Sequence, residues 1–210
     1  GGLLKRVGSG TQKVEQELAA LFPGTRVLRM DADTVAAARG HEALLKQFTE
    51  QNIPILLGTQ MVAKGLDFEN VTLVGVLDAD LSLYVQNYHA AERTYSLLAQ
   101  VVGRAGRGER AGRAVIQTYH PENEVIQAAA KQDYEAFYQS ELRLRRLRRY
   151  PPFADLFTLT VSGSEELRVI AAARTLCDAL RCESEREPLR ALETEVLGPA
   201  GAPVVKVNGR

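Results

Sequence analysis

The sequence contains only two cysteines in 210 residues, Cys177 and Cys182. They lie five residues apart in a segment of helical pattern. That spacing suits neither a zinc site nor a redox pair, so we expect both thiols to be reduced and structural. The chain also lacks an apolar run long enough to span a bilayer, and its first residues lack the apolar core of a secretory signal. We therefore expect a cytoplasmic protein, monomeric and without a membrane partner.

Net charge does not indicate a partner either, because 26 basic and 26 acidic residues cancel. Arginines nevertheless cluster in two stretches, at 104–113 and 143–149. The second stretch allows two interpretations, a solvated helix face or a nucleic-acid contact. Tyr134, Phe137 and Tyr138 come just before it. Their rings could stack on bases, although packing of their helix on the rest of the protein is the more common role.

Short apolar segments alternate with helical patterns over the first 120 residues. Strands are predicted at 27–30, 53–57, 71–77 and 114–117. Helices are predicted between them, at 11–21, around 44–48 and at 88–102. Two of the strands, 53–57 and 71–77, are apolar on both faces, as in a parallel sheet covered by helices. The pattern predicts an α/β lobe with a doubly wound parallel sheet.

Several polar residues flank these predicted elements. Thr11 stands at the start of the first helix, where its side chain can cap a free backbone N–H. Asp31 and Asp33 are spaced as metal ligands sometimes are, but a turn followed by a helix cap is the simpler interpretation. Asp78 and Asp80 follow the end of a predicted strand, and the sequence alone assigns them no role.

The pattern changes after residue 120. Residues 122–149 are helical and highly charged, and the sequence Tyr-Pro-Pro-Phe at 150–153 ends that pattern. Beyond it, residues 156–161 alternate as a strand, residues 165–180 form a helical pattern, and a short apolar segment follows at 204–207. We predict a lobe at 1–120, a charged helical linker at 121–153 and a partial, truncated α/β domain at 154–210.

The strongest functional signal is the sequence QVVGRAGRG at residues 100–108, where a predicted helix ends. Arg104 and Arg107 lie three residues apart and can reach one anionic target. The planar fork of arginine pairs with phosphate oxygens and stays charged at any working pH. Glycines between them allow a close backbone approach to the phosphates. The alternative is a helix C-cap, in which glycines end the helix and arginines favour its negative end.

The second signal is the sequence GTQMVAKGLDF at residues 58–68, which lies between two predicted strands. Ligand sites in α/β sheets lie at the carboxyl ends of strands. There, Thr59 and Gln60 could hydrogen-bond a nucleic-acid backbone, and Lys64 could neutralise a phosphate. Asp67 could connect this loop to the arginine site. The alternative is a long polar crossover loop without a ligand.

Together, the two segments resemble motifs V and VI of superfamily two helicases. The longer sequences GTQMVAKGLDFENVTLVGVLDAD and AERTYSLLAQVVGRAGRGERAGRAVIQTYHPE resemble more specifically the PriA family of replication-restart DNA helicases, as do GSGTQKVEQEL, RVLRMDADT and YPPF. The resemblance covers residues 8–153 and continues more loosely to VLGPA at 196–200. The chain departs from the family pattern at a few positions: Leu66, Glu69, Asn87, His89 and Val102.

This resemblance implies a second RecA-like helicase lobe carrying motifs IV to VI, followed by the start of a C-terminal domain. The family acts as an ATP-dependent 3'-to-5' DNA helicase that restarts replication at stalled or repaired forks. The implied catalytic residues are Gln100, Arg104 and Arg107. The implied nucleotide-binding residues are Gly65, Asp67 and Gly103, together with both arginines. The implied DNA-binding residues are Thr59, Gln60 and Lys64.

The resemblance also implies cofactors and partners. ATP and Mg²⁺ would bind mainly to a first lobe, because this sequence has no G-x-x-x-x-G-K-[ST] loop and no DExH box. Zn²⁺ is expected in a full-length protein only, and this sequence offers no metal ligands. The implied partners are branched and single-stranded DNA, single-stranded DNA-binding protein and other primosome proteins, in the bacterial cytosol at the nucleoid. We expect the chain to be inactive by itself.

Two other functions remain open at this point. One is another superfamily two motor, such as a RecG-like fork translocase or an RNA helicase. The other is a non-motor DNA-binding scaffold that kept the fold and lost ATP turnover. A Walker A loop and a DExH box upstream would favour the motor, and their absence would favour the scaffold.

Overall fold

The computed structural model describes residues 10–37, 40–59, 71–85, 87–103, 105 and 112–201. The chain divides into two compact units, Gly1–Arg149 and Tyr150–Arg210. In chain order, the described elements of the first unit are α1 (Thr11–Leu21), β1 (Val27–Met30), α2 (Ala32–Ala37), α3 (His41–Glu50), β2 (Ile55–Gly58), β3 (Leu73–Val76), α4 (Asp80–Leu83), α5 (Ala90–Val102), β4 (Arg113–Ile116), α6 (Glu124–Lys131) and α7 (Tyr134–Leu147). The second unit contains α8 (Glu166–Ser184) and a 3₁₀ helix (Leu189–Leu192).

The strands of the first unit pair in parallel wherever the structure describes them. β1 pairs with β2, so that Met30 lies opposite Gly58. β3 pairs with β4, so that Val76 lies opposite Ile116. Helices connect the partners in each pair, α2 and α3 in the first and α4 and α5 in the second. The predicted α/β class with parallel strands is confirmed, and each predicted strand of this unit forms within one or two residues of its expected position.

The best-packed part of the first unit is where α5 meets α6 and α7. Leu98 of α5 and Ala129 of α6 are fully buried there. Tyr95 of α5 stacks on Phe137 of α7, with ring centroids 4.2 Å apart and planes 11° apart. Such a pair contributes about 0.5–1.5 kcal/mol beyond its burial. The segment predicted as a linker therefore contributes two helices to the core of this unit, while the division into lobe, linker and C-terminal domain stays a prediction.

The expected burial of the third strand on both faces is not observed. Along β3 and β4 exposed residues alternate with partly buried ones, and Leu73 and Val115 lie on the exposed side. Burial on both faces requires helices on both faces. Among the described elements, α5 supplies the main cover for this strand pair, so only one face is shielded.

The prediction that Thr11 caps α1 is wrong. Gly10, which has no side chain with which to cap, occupies the N-cap position of α1. The Thr11 hydroxyl instead donates to Oδ2 of Asp31 at 2.7 Å. An ionised carboxylate is a strong acceptor, and β1 brings this one from 20 residues away.

In the second unit, α8 confirms the predicted helix and extends it to Ser184. Both cysteines are free thiols. The buried Cys177 Sγ donates to the Gly198 carbonyl at 3.3 Å, and Arg181 donates to the same oxygen at 3.0 Å. These two contacts fasten the segment after the 3₁₀ helix to α8.

Residues 156–161 do not form the predicted strand, since no described residue pairs with them. Phe157 is 90% exposed. An alternating pattern becomes a strand only when a second strand satisfies its backbone groups. The apolar segment at 204–207 lies outside the described residues. Among the described helices, none has the length and apolar character needed to cross a membrane.

Candidate nucleotide and nucleic-acid site

The helix that precedes the arginine motif ends as predicted, at Gly103. Gln100 lies on the last turn of α5 with an exposed side chain. The Gly103 N–H donates to the Ala99 carbonyl at 2.9 Å, and its φ of −66° is ordinary for a helix. Glycine is therefore not required here by backbone conformation. The predicted Arg104 and Arg107 follow at once but lie outside the described residues.

The close approach of the end of α6 explains why a glycine stands at position 103. A Cβ at Gly103 would lie 2.8 Å from Nε2 of Gln132. Gln132 is the C-cap residue of α6, has a left-handed φ of 55°, and donates from Nε2 to the Ala99 carbonyl at 3.4 Å. The ends of α5 and α6 are thus joined where the arginine motif begins. Sequence reasoning missed Gln132, because a left-handed glutamine at a helix end has no local signature.

The other predicted motif begins at the carboxyl edge of the first strand pair. β2 ends at Gly58, and Thr59 follows it with an exposed side chain. The register of β1 and β2 brings Asp31 to the same edge, because Met30 lies opposite Gly58. Four residues predicted for DNA or nucleotide contact lie outside the described residues: Gln60, Lys64, Gly65 and Asp67.

Asp31 acts at this edge through hydrogen bonds and an ion pair within the protein, and not as a metal ligand. Its carboxylate accepts from the hydroxyl of Thr11 and from the N–H of Thr34 at 3.0 Å, and Arg29 Nε lies 3.0 Å from Oδ2. The hydrogen bond from Thr11, followed by that from Thr34, lowers the pKa of Asp31 from 3.8 to about 2 although burial opposes this. The ionised side chain thereby holds α1 and α2 to the end of β1. The predicted turn and helix cap are confirmed.

Asp80 has the corresponding role at the edge of the second strand pair. It is buried, and it accepts from the Thr118 hydroxyl and the Tyr119 N–H, both at 2.9 Å. Burial alone would raise the pKa of Asp80, but these two hydrogen bonds and the nearby His120 outweigh it and lower the pKa. Asp80 therefore connects the segment after β3 to the segment after β4.

A charged network connects the start of α5 with α7. Glu92 contacts Nδ1 of His89 and an Nη of Arg145, each at 3.0 Å. Arg145 also donates from Nε to Glu141 at 2.8 Å, and its guanidinium lies 5.7 Å from the centre of the Tyr88 ring. The hydrogen bond with His89 and then that from Arg145 lower the pKa of Glu92, although burial opposes them. Arg145 therefore belongs to a helix contact and not to a solvated basic face.

The described residues contain no group of three or more His, Cys, Asp or Glu side chains that could hold a metal ion. The acids nearest the strand ends already accept hydrogen bonds from protein donors. These residues thus do not fit a zinc or magnesium site. The described residues instead form two features. One is a polar edge of the strand pair beside Thr59, and the other is the end of α5, which is joined to α6 just before the two arginines.

Comparison with known proteins decides the family. Residues 7–109 match the helicase conserved C-terminal domain. The chain is 45% identical over 203 residues to the replication restart protein PriA of Bacillus subtilis (strain 168), which is 97% of this chain and 24% of that protein. The chain belongs to the PriA family. It is also 42% identical to PriA of Synechocystis, over 99% of this chain and 24% of that protein, and 36% identical to PriA of Rickettsia conorii, over 97% and 30%.

The chain therefore spans about a quarter of the length of the PriA proteins of Bacillus subtilis and Synechocystis. Membership of the PriA family confirms the resemblance seen in the two motifs, and the helicase match covers both of them. It also places α5, with Gln100 and Gly103, inside the helicase domain. The roles of the individual site residues stay predictions.

Proposed function

We propose that this chain supplies the second motor lobe of an ATP-dependent DNA helicase, which moves 3'-to-5' and restarts replication at stalled or repaired forks. The similarity to proteins named replication restart protein PriA and the match to a helicase C-terminal domain support this proposal. ATP and Mg²⁺ would bind mainly to a first lobe, since this sequence has no phosphate-binding loop. The chain alone would then not hydrolyse ATP.

The end of α5 is the observation that carries the proposal. Its last turn exposes Gln100, its end at Gly103 is joined to α6 through Gln132, and Arg104 and Arg107 follow. A base held by core packing suits residues that must meet a phosphoryl group in one geometry. In this role the two arginines stabilise charge that develops on the transferred phosphoryl group.

DNA would be held at the end of β2. Thr59 is exposed there, directly after β2, and the Asp31 contacts lie at the end of its partner strand β1. Thr59 and Gln60 would hydrogen-bond a single-stranded DNA backbone, and Lys64 would neutralise a phosphate. Gly65 and Asp67 would connect this grip to the nucleotide. Closing and opening of two lobes around ATP would then advance the strand, a hinge-type transition.

Substitution of Arg107 tests the proposal in the full-length helicase. Arg107→Ala should lower DNA-stimulated ATP turnover by about a thousandfold or more, the effect of removing an arginine finger. Arg107→Lys should not restore turnover, because a point charge does not replace the bidentate fork. DNA affinity and ground-state ATP affinity should change little. Arg174→Ala is a matched control, since Arg174 is an exposed arginine on α8.

The helix-cap interpretation predicts a different result. If Arg107 only stabilises the end of α5, Arg107→Ala should lower the melting temperature modestly and leave turnover intact. Melting and ATPase measurements on the same preparations separate the two. A destabilised Arg107→Ala enzyme with normal turnover would remove this residue from catalysis.

A further inference from the structure

Helix α7 has an inner face that packs and an outer face that does not. Phe137 is buried, and the side chains of Glu141 and Arg145 are each only 14% exposed because they pair with each other. Tyr134 is 61% exposed and Tyr138 is 42% exposed. The three aromatic residues of this segment thus divide into one that anchors the helix and two that face solvent.

The two exposed rings contact each other, and one of them also contacts buried rings. Their centroids lie 6.0 Å apart with planes 25° from parallel. The Tyr134 ring also lies 6.1 Å from Tyr95 and 6.5 Å from Phe137, both of which are buried. Rings that packing already orients lose little freedom when a ligand stacks on them. The tyrosine pair is therefore a preformed aromatic surface at the edge of the core.

One basic side chain, that of Arg146, continues the line of the two tyrosines along α7. Tyr134, Tyr138, Leu142 and Arg146 follow one another at intervals of four, so they lie along one side of the helix. Leu142 and Arg146 also line a shallow groove of about 370 Å³. At 1.5 Å per residue, Arg146 lies about 12 Å along the axis from Tyr138, a separation that a short strand of nucleic acid can bridge.

The acidic residues of this helix are already engaged. Asp133 accepts from the N–H of Ala136 as the cap of α7, Glu135 accepts from Gln139, and Glu141 pairs with Arg145. Residues 142–149 contain five arginines and no acid. The aromatic surface therefore continues into a positively charged helix end, the combination that binds bases and phosphates together.

We propose that this surface of α7 binds single-stranded nucleic acid, with bases stacked on Tyr134 and Tyr138 and a phosphate held by Arg146. The inference rests on the proposed function only in taking a single strand as the ligand. It requires no nucleotide turnover, so binding is measured without ATP. A failure of the arginine-finger proposal would leave the outcome of this test unchanged.

Binding of a fluorescent oligothymidylate to the 210-residue chain, followed by anisotropy, tests the aromatic part. The double variant Tyr134→Ala and Tyr138→Ala should weaken binding by about tenfold or more. Tyr134→Phe with Tyr138→Phe should retain affinity, because the ring is kept. Tyr119→Ala is the matched control, since Tyr119 is a 77% exposed tyrosine outside α7. On an abasic strand of equal length, wild type and the alanine double variant should bind alike.

The salt dependence tests the basic part. Arg146→Gln should reduce the slope of log affinity against log salt by about 0.7, the value for one lost phosphate contact on a single strand. The tyrosine variants should leave that slope unchanged. Circular dichroism melts establish that each variant is folded.

Four results would overturn the proposal: no binding by the wild-type chain, equal binding by the alanine double variant, an equal loss for Tyr119→Ala, or a loss that persists on the abasic strand. If the tyrosine variants change the sedimentation of the chain and not its affinity for the oligonucleotide, the surface is a protein interface and the proposal is wrong.

Discussion

Replacing Gly103 with alanine tests whether this glycine serves helix packing or phosphate contact. Gly103 has a helical backbone, with φ −66° and ψ −9°, so alanine needs no unusual conformation. At such a position alanine stabilises by about 0.4–1 kcal/mol, because it restricts the unfolded chain. Its methyl group, however, would lie 2.8 Å from Nε2 of Gln132. That side chain must then move and give up its hydrogen bond to Ala99.

The two effects nearly cancel. The bond from Gln132 to Ala99 is 3.4 Å long and exposed, so its loss costs about 0.5 kcal/mol, the lower end of the usual range. The Ala99 carbonyl, 3.2 Å from the new methyl group, must shift by a few tenths of an ångström. The free energy of unfolding of Gly103→Ala should therefore stay within about 1 kcal/mol of the wild-type value.

A double-mutant cycle with Gln132→Ala isolates the clash. Without the glutamine side chain, Gly103→Ala should stabilise by about 0.4–1 kcal/mol. Urea denaturation of the four proteins gives these differences directly. A destabilisation above about 2 kcal/mol that persists in the Gln132→Ala background would refute this account of the glycine.

Turnover of the full-length Gly103→Ala enzyme then addresses the second role. If the glycine also admits the backbone to the phosphates, turnover should fall although stability does not. Unchanged turnover would remove Gly103 from the nucleotide-contacting residues and leave it a packing role against Gln132.

Two further predictions concern the edges of the fold. Because the pKa of Asp31 is lowered from 3.8 to about 2, its ionised form stabilises the fold fully above pH 3.8, and this contribution is lost as the pH falls towards 2. Melting curves across that window should thus show a weaker pH dependence for Asp31→Asn than for wild type, and parallel curves would contradict the assignment. Asn123 caps α6 by accepting from the N–H groups of Val125 and Ile126, so Asn123→Ala should lower the free energy of unfolding by about 1 kcal/mol in urea denaturation. Asn123→Ser should retain most of the stability, and an equal loss for serine would show that capping is not the cause.

The sequence predicted the elements whose signals are local. Residues 27–30 form β1 as expected, because an apolar run between a turn and a polar turn determines a short strand. The helix before the arginine motif ends at Gly103 as expected. The order of strand, motif, strand, helix and motif resembled that of superfamily two helicases, and the longer sequences around the two motifs resembled the PriA family.

The sequence did not predict the contacts of the residues that connect the elements of the candidate site. Asp78 and Asp80 gave no role from the sequence, yet Asp80 connects two segments 39 residues apart. In the aromatic segment of α7 the predicted packing is confirmed for Phe137, whereas Tyr134 is exposed, so that stacking on bases stays a prediction. Helical periodicity places a side chain on a face, but neighbouring helices decide how wide the covered face is.

By itself, the sequence determined the parallel α/β class and the helix end at the arginine motif, because periodicity and motif spacing are properties of consecutive residues. Its motifs also resembled those of the PriA family. Only the tertiary structure decided the partners: Thr11 with Asp31 and Gln132 with Ala99, across 20 and 33 residues. It also left residues 156–161 without a described strand partner. A hydrogen bond forms only where the fold brings donor and acceptor within about 3.5 Å, and no local pattern encodes that distance.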